Sequence, residues 1–257
     1  MIRAALFPFA ILLAYGLAFG FSALGDGLLV ADDHPGQLFR LHHALSRGLL
    51  PWEWNPDWWA GYPELQFYPP GYVYLGAALR ILTLGALSHD TIYQVLLWII
   101  YVLPGVTTFW LLARILPSPW PALPTAFIVL ALSAGSLSGV EGGLRTGMVA
   151  ARLGLGLLPL LALSLHRWQE RGGKRPAWAV FLLAAVILAH PAHAPAAVLI
   201  VLLAALFGPQ RESLVRRMGH AAWVLVVGAA FTGLWTIPLI GHLEYSRPLA
   251  WGEFSFG

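Results

Sequence analysis

A run of sequence without a single charged residue, AALFPFAILLAYGLAFGFSALG (residues 4–25), directly follows the cation Arg3. A helix needs about 20 apolar residues to cross a bilayer, whereas the apolar core of a cleaved signal peptide has about 7–15. The run therefore predicts a retained membrane-spanning helix. By the positive-inside rule, Arg3 lies on the cytoplasmic side and the residues after 25 lie outside.

The composition of the whole chain supports a membrane protein. Of its 257 residues, 58% are hydrophobic and only 11% are charged, against about 25% charged in a soluble domain. The net charge of +3 is small and scattered, which argues against a nucleic-acid partner. The chain has no cysteine, and this excludes disulfides, thiolate nucleophiles and thiolate metal sites.

Basic segments set the orientation of the later helices. The sequences RWQERGGKR (167–175) and RESLVRR (211–217) are the two densest in Lys and Arg, and such segments stay on the cytoplasmic side. If the apolar stretch 68–86 crossed the membrane, both would lie outside. We therefore predict that 68–86 remains outside, as a juxtamembrane or re-entrant helix.

The apolar segment 177–207 is long for one span and short for two. Within it, AHPAHAP (189–195) holds two prolines, which interrupt a helix. We predict a hairpin of two short helices that turns at the outer face; one long tilted helix is the alternative.

The sequence thus predicts a single transmembrane domain over residues 1–257, with a large outer loop at 25–90. The seven predicted spans are 4–24, 91–114, 122–139, 147–167, 177–190, 194–208 and 220–241. Because the last span leads outward into an aromatic, loop-like tail, we expect this chain to be the N-terminal part of a longer protein.

Two kinds of segment fill the first outer loop. Leucines at helical spacing, from Leu38 to Leu49, predict a short amphipathic helix in the membrane interface, with Pro35 in its first turn and Gly48 at its end. The stretch PWEWNPDWWAGYPELQFYPPGYVYL (51–75) then combines many aromatic rings with prolines. Such rings form an interfacial belt, or they form a platform on which a sugar or lipid headgroup stacks.

The order of motifs in this loop resembles a known superfamily. The motifs are Asp33, Gly48, Pro51, Trp54-Asn55-Pro56, Gly61-Tyr62-Pro63 and Tyr68-Pro69-Pro70. They resemble the first outer loop of GT-C glycosyltransferases, which use polyprenyl-phosphate sugars. The chain is most similar to the bacterial and archaeal membrane proteins labelled "6-pyruvoyl-tetrahydropterin synthase-related". The resemblance implies an all-α, GT-C-like multi-span bundle whose first extracytoplasmic loop contains juxtamembrane helices.

The resemblance also implies a catalytic carboxylate. The family's outer-loop acid falls on Asp33, with Asp32 as a neighbour that assists or is merely solvated. A base that takes the acceptor's proton suits this position. Together with Glu141, the two carboxylates are candidate ligands for a divalent metal, Mg²⁺ or Mn²⁺. On spacing alone, however, an acid before a helix also caps its free N–H groups.

Further candidates would bind the donor phosphate or sugar on the same side. They are Arg145, Arg152, His190, His193, Tyr68 and Trp54. An ionisable residue inside the bilayer is costly and marks function by default, although Arg152 would also serve as a structural anchor that reaches for a headgroup. Each histidine lies at a helix break, where a structural cap is the alternative.

These features predict a multi-pass protein of the plasma membrane with an extracytoplasmic active face. Its expected activity is transfer of a sugar from a polyprenyl-phosphate donor to a lipid, glycan or protein acceptor, with Asp33 as base. Two alternatives remain: a transporter or flippase of lipid-linked sugars, and a non-catalytic protein of the same fold that binds the lipid carrier.

Overall fold

The computed structural model describes residues 2–24, 27, 31–58, 60–132, 141–171, 175–208 and 212–245. Helices dominate it. They are α1 (Ile2–Leu24), α2 (His34–Arg47), α3 (Gly71–Leu82), α4 (His89–Ile115), α5 (Ala122–Ala131), α6 (Val149–Arg171), α7 (Ala177–Ala189), α8 (Ala194–Phe207), α9 (Leu214–Phe231) and α10 (Gly233–Gly241). Two-residue strands, β1 (Trp54–Asn55) and β2 (Tyr62–Pro63), pair antiparallel. The prediction of an all-α membrane protein is confirmed at this level.

In the described part of the chain, four helices are long and apolar enough to cross a membrane, by length and composition. They are α1, over Ala4–Phe21, together with α4, α6 and α9. The shorter apolar helices include α3, α5 and α7. Every predicted span coincides with a helix, although the end of the 122–139 segment, from 133 onward, lies outside the described residues.

Helix α4 lies at the centre of the first half of the bundle. Near the start of α4, Trp98 contacts Gly20 at the end of α1, and near its end Phe109 contacts Phe9. Helix α1 is therefore antiparallel to α4. Helix α6 is parallel to α4, because Leu103 packs on Gly156, and Arg114 pairs with a glutamate in the last turn of α6.

The hairpin predicted for 177–207 is confirmed, and the single long helix is excluded. Helix α7 ends at Ala189, and a short 3-10 turn, Pro191–His193, leads into α8. His193 in this turn and His190 just before it contact Gly154 near the start of α6. At the other end of α6, the side chain of Gln169 bonds the α8 carbonyl of Ala204. Helix α8 therefore runs back alongside α6.

The last predicted span differs from the structure at its boundaries. Helix α9 begins at Leu214 rather than at 220, because the Ser213 hydroxyl caps it by accepting a hydrogen bond from the Arg216 N–H. The helix ends at Phe231, and α10 begins after Thr232. Counting only charge-free residues therefore missed a start that places two arginines in the first turn.

The connections between helices gather at two ends of the bundle. At one end, Phe7 meets Trp120 in the α4–α5 connection, and Arg217 bonds the carbonyl of Gly208. At the opposite end, the Trp235 indole donates to the carbonyl of Leu65 at 2.9 Å. This is the same grouping of loops that the charge pattern predicts. We call the second group of loops the site end, and the first the basic end.

Candidate functional site

The site is built around the start of α2. The Asp33 N–H donates to the carbonyl of Thr146 at 3.2 Å. The neighbouring ring of His34, fully buried, bonds the carbonyl of Leu144 through Nε2 and the Tyr93 hydroxyl through Nδ1, the latter at 2.7 Å. These contacts fix the first turn of α2 against the segment that leads into α6.

Gly147 allows the two segments to approach. Its φ of +79° is one that side-chain-bearing residues rarely adopt. A Cβ there would lie 2.9 Å from the His34 nitrogen and 3.1 Å from the carbonyl carbon of Asp33. The carbonyl of Gly147 accepts a hydrogen bond from the buried side chain of Gln37 at 3.2 Å. The glycine is thus required both by the backbone conformation and by close packing.

The two predicted carboxylates are exposed at this junction. Asp33 occupies the N-cap position of α2, yet its side chain makes no capping hydrogen bond. Asp32 precedes it with φ +50°, a left-handed conformation that Asp tolerates better than most residues. Capping therefore does not explain Asp33 in this conformation, and the residue is exposed.

The predicted cation Arg145 lies at the same junction. Arg145 is exposed. It directly precedes Thr146, and the carbonyl of Thr146 accepts the hydrogen bond from the Asp33 N–H. Backbone pairing thus brings an acidic segment and a basic residue to one surface across 112 positions of the chain, from 33 to 145. Proton abstraction next to a phosphate requires a carboxylate and a cation, and the two neighbouring segments carry one of each.

A buried ion pair, which the sequence reasoning missed, supports the outer loop. Glu64 is 1% exposed and accepts from Arg40 Nε at 2.6 Å and from Asn55 Nδ2 at 2.7 Å. Arg40 also donates to the side chain of Gln37 at 3.0 Å. Glu64 therefore joins α2 to strand β1, and this role accounts for the asparagine of the Trp54-Asn55-Pro56 motif.

The guanidinium of Arg40 stays positively charged. Burial alone would lower its pKa, but the negative groups around it at high pH, which are Tyr72, Tyr68 and Glu64, outweigh burial and raise the pKa. The guanidinium lies 3.6 Å from the centre of the Tyr68 ring, within the range of a cation–π contact. Arg40 thus fixes the orientation of a predicted substrate-binding ring.

Tyr68 is held from two directions. Its hydroxyl accepts from Gln37 Nε2 at 2.6 Å, and Arg40 covers one ring face. Burial is the main cause that raises the pKa of Tyr68; the charge of Asp33 raises it further, whereas Arg40 and the Gln37 bond lower it. The hydroxyl therefore stays protonated near neutral pH and retains a proton to donate.

Two tryptophans present rings near this surface. Trp54 is 57% exposed and packs over Gly61, whose φ of +90° and lack of a Cβ leave room for the indole. Trp58, which the sequence reasoning did not single out, reaches Gly36 in the first turn of α2 and contacts the Phe39 ring at 5.2 Å between centroids. Trp58 thus places an aromatic ring against the first turn of α2.

The predicted histidines lie where α7 ends. His193 Nε2 bonds the α6 carbonyl of Ala151 at 2.8 Å, while the buried Nδ1 of His190 has no hydrogen-bond partner among the described residues. Gly71, which follows the Tyr68-Pro69-Pro70 motif, packs directly on the backbone of Ala189. The histidine turn and the aromatic loop are therefore neighbours.

Arg152 lies deeper in the bundle. It is 3% exposed, and one guanidinium nitrogen donates to the carbonyls of Tyr101 at 3.1 Å and Leu130 at 2.8 Å. Its other two nitrogens lack a partner among the described residues. Arg152 thus stabilises the carbonyl end of α5 and does not extend to the surface.

The remaining metal candidate is Glu141. It begins a five-residue π-helical turn, Glu141–Arg145, and its side chain lies outside the described residues. In the described part of the chain, no three His, Cys, Asp or Glu side chains form a group that would hold a metal ion. Asp32 and Asp33 would therefore need oxygen ligands from a substrate phosphate to complete a site.

Compared with protein-family models, curated proteins and solved structures, the chain matches none of them. The GT-C resemblance therefore remains a prediction that rests on the loop motifs.

Proposed function

We propose that the protein is a GT-C-type membrane glycosyltransferase that moves a sugar from a polyprenyl-phosphate donor to an extracytoplasmic lipid, glycan or protein acceptor. The observation that carries the proposal is the junction of α2 with residues 144–147, where the uncapped Asp33 carboxylate lies next to the segment that bears Arg145. In this proposal, the plasma membrane is crossed seven times and the site end faces outward.

Each predicted residue has a distinct role in this reaction. Asp33 takes the proton from the acceptor hydroxyl as that oxygen attacks the sugar. Arg145 stabilises the negative charge that develops on the departing phosphate. Tyr68 donates a hydrogen bond to the sugar or phosphate, and the Trp54 and Trp58 rings stack on the sugar. Asp32 assists Asp33 by placing a second negative charge next to it.

Deeper groups would hold the rest of the donor. His190 has a nitrogen available at the helix break, next to the Tyr68-Pro69-Pro70 loop. His193 and Arg152 mainly position the backbone of α6 and α5. A Mg²⁺ or Mn²⁺ ion, if the reaction uses one, would be held by Asp32, Asp33 and Glu141 and would supply a further positive charge for the phosphate.

The test is turnover of a labelled polyprenyl-phosphate sugar by the purified chain in lipid nanodiscs. We expect Asp33→Asn to lower the rate of donor consumption by about 10²–10⁴-fold, the usual contribution of a general base, while donor binding persists. Asp57→Asn, an exposed aspartate of the same loop, is the matched control and should keep the wild-type rate.

Two outcomes would overturn the proposal in different ways. Wild-type protein that binds the donor but never consumes it with lipid, glycan or peptide acceptors would be a non-catalytic carrier-binding protein. Protein that moves intact donor across a vesicle membrane, with no dependence on Asp33, would be a flippase.

A further inference from the structure

A cavity lies at the basic end of the bundle, far from the candidate active site. It has a volume of about 530 Å³ and lies between the second half of α6 and the start of α7, within the usual size range of ligand pockets. We call it the basic groove. Its lining includes Leu160, Leu163, Leu182, Trp168, Arg167, Arg171, Arg175 and Trp178.

One wall of the basic groove is apolar and the rim is cationic. Leu160 precedes Arg167 by seven residues on α6, or about 10 Å along the helix axis. The leucines thus lie toward the middle of the membrane and the arginines toward its surface. Because the groove is apolar at one depth and positively charged at another, it is complementary to an anionic amphiphile rather than to a soluble anion.

The three rim cations are available to a ligand. Arg167, Arg171 and Arg175 are exposed, and no carboxylate lies within 4.0 Å of them in the part of the chain that the structure describes. Arg175 is oriented by the Trp223 ring at 5.5 Å. A planar guanidinium donates two parallel hydrogen bonds to phosphate oxygens, so a set of arginines favours a phosphate group.

The exposed side chain of Trp178 indicates the depth of the basic groove in the membrane. Trp178, in the first turn of α7, is 76% exposed, and exposed tryptophans settle at the level of lipid headgroups. The arginines lie in the adjacent turn of α6 and just before α7. Arginines at the end of α6 would also interact favourably with the helix dipole, but the dipole does not account for a cavity with an apolar wall.

From these features we infer that the basic groove binds a phospholipid with an anionic headgroup, of the phosphatidylglycerol type. The arginines hold the headgroup phosphate, and one acyl chain lies along the wall of Leu160, Leu163 and Leu182. The bound lipid fills the space between α6 and α7 and fixes their spacing at the basic end. This site is independent of the glycosyltransferase proposal.

The experiment is native mass spectrometry of the full chain, released from vesicles that contain equal amounts of phosphatidylglycerol and phosphatidylcholine. We expect wild-type protein to retain mainly phosphatidylglycerol. Arg171→Gln should weaken retention about fivefold, the effect of one arginine at an anionic membrane surface. Arg216→Gln removes another exposed arginine at the same end but outside the groove, and it should have little effect.

A second variant separates the groove from diffuse surface charge. Ser164→Phe places a ring inside the groove and keeps every arginine; it should also reduce phosphatidylglycerol retention. Thermal unfolding in detergent shows that each variant is folded. Equal retention of the two lipids, equal losses in Arg171→Gln and Arg216→Gln, or full retention in Ser164→Phe would each overturn the inference. An acidic protein segment as the true occupant would give the first of these results.

Discussion

At the scale of single residues, the close approach of the two segments that form the site depends on Gly147. The glycine brings the Asp33 backbone to the segment of Arg145, and its positive φ and missing Cβ are both needed. The motif LRTG indicates this only weakly, because a glycine between two helices ordinarily marks only a turn. Its contact with His34 could not be predicted, since the two residues are more than 100 positions apart.

Gly147→Ala should therefore lower the free energy of unfolding by more than the strain of the backbone conformation alone. A non-glycine residue in left-handed conformation costs about 1–2 kcal/mol, and the new Cβ would also push against the His34 nitrogen at 2.9 Å. Gly85→Ala is a matched control, because Gly85 has φ +76° but nothing lies within 4 Å of the position that an added Cβ would occupy.

The measurement is thermal unfolding in detergent together with donor binding. We expect a larger loss of stability in Gly147→Ala than in Gly85→Ala, and weaker donor binding in the former alone. Equal effects of the two substitutions would show that the junction tolerates an added carbon, and that its close packing is not needed.

At the scale of elements, one buried ion pair fixes the outer loop to α2. The helix α2 itself was predictable from its leucine spacing and from Pro35 and Gly48, and the structure has it over His34–Arg47. The pairing of Arg40 with Glu64 was not predictable, because the two residues are 24 positions apart and the proline-rich loop after α2 lies between them. Spacing rules work within a helix or strand, whereas loop closure depends on contacts that no local pattern encodes.

Glu64→Gln should destabilise the loop strongly. It removes the charge that compensates Arg40, and breaking a buried pair by removing one partner costs about 3–5 kcal/mol. Glu170→Gln is the matched control, since Glu170 also pairs with an arginine, Arg114, but both side chains are about one-third exposed. An exposed pair of this kind contributes about 0–1 kcal/mol.

Chemical unfolding in detergent should therefore separate the two variants by at least about 2 kcal/mol. In Glu64→Gln, limited proteolysis should also cut the outer loop faster. A Glu64→Gln protein as stable as Glu170→Gln would mean that Arg40 finds other partners, and that the loop is held by its aromatic contacts instead.

At the scale of the whole molecule, the helical bundle was largely predictable. Charge-free runs located the long helices: the predicted span 91–114 is observed as His89–Ile115, and the Ser88 hydroxyl caps it. The hairpin followed from two prolines. Charge alone could not predict the way helices cross, because that depends on small residues such as Gly20 and Gly156 accepting bulky neighbours.

The proposed orientation predicts which ends react with an impermeant thiol reagent. The chain lacks cysteine, so single cysteines report without background. Asp57→Cys at the site end should react in intact cells, and Ser118→Cys at the basic end should react only after permeabilisation. The reverse pattern would place the candidate site in the cytoplasm. Labelling of both single-cysteine variants in intact cells would contradict the proposed topology.

The hydrogen bond between the Trp235 indole and the Leu65 carbonyl links positions 170 residues apart. At about 5–20 residues per second, a ribosome needs roughly 10–30 s to synthesise the intervening chain. During that interval, the aromatic loop is already synthesised while its α10 partner does not yet exist. The last steps of assembly are therefore delayed by translation itself, and the loop spends its first seconds without this contact, when chaperones and proteases can bind it.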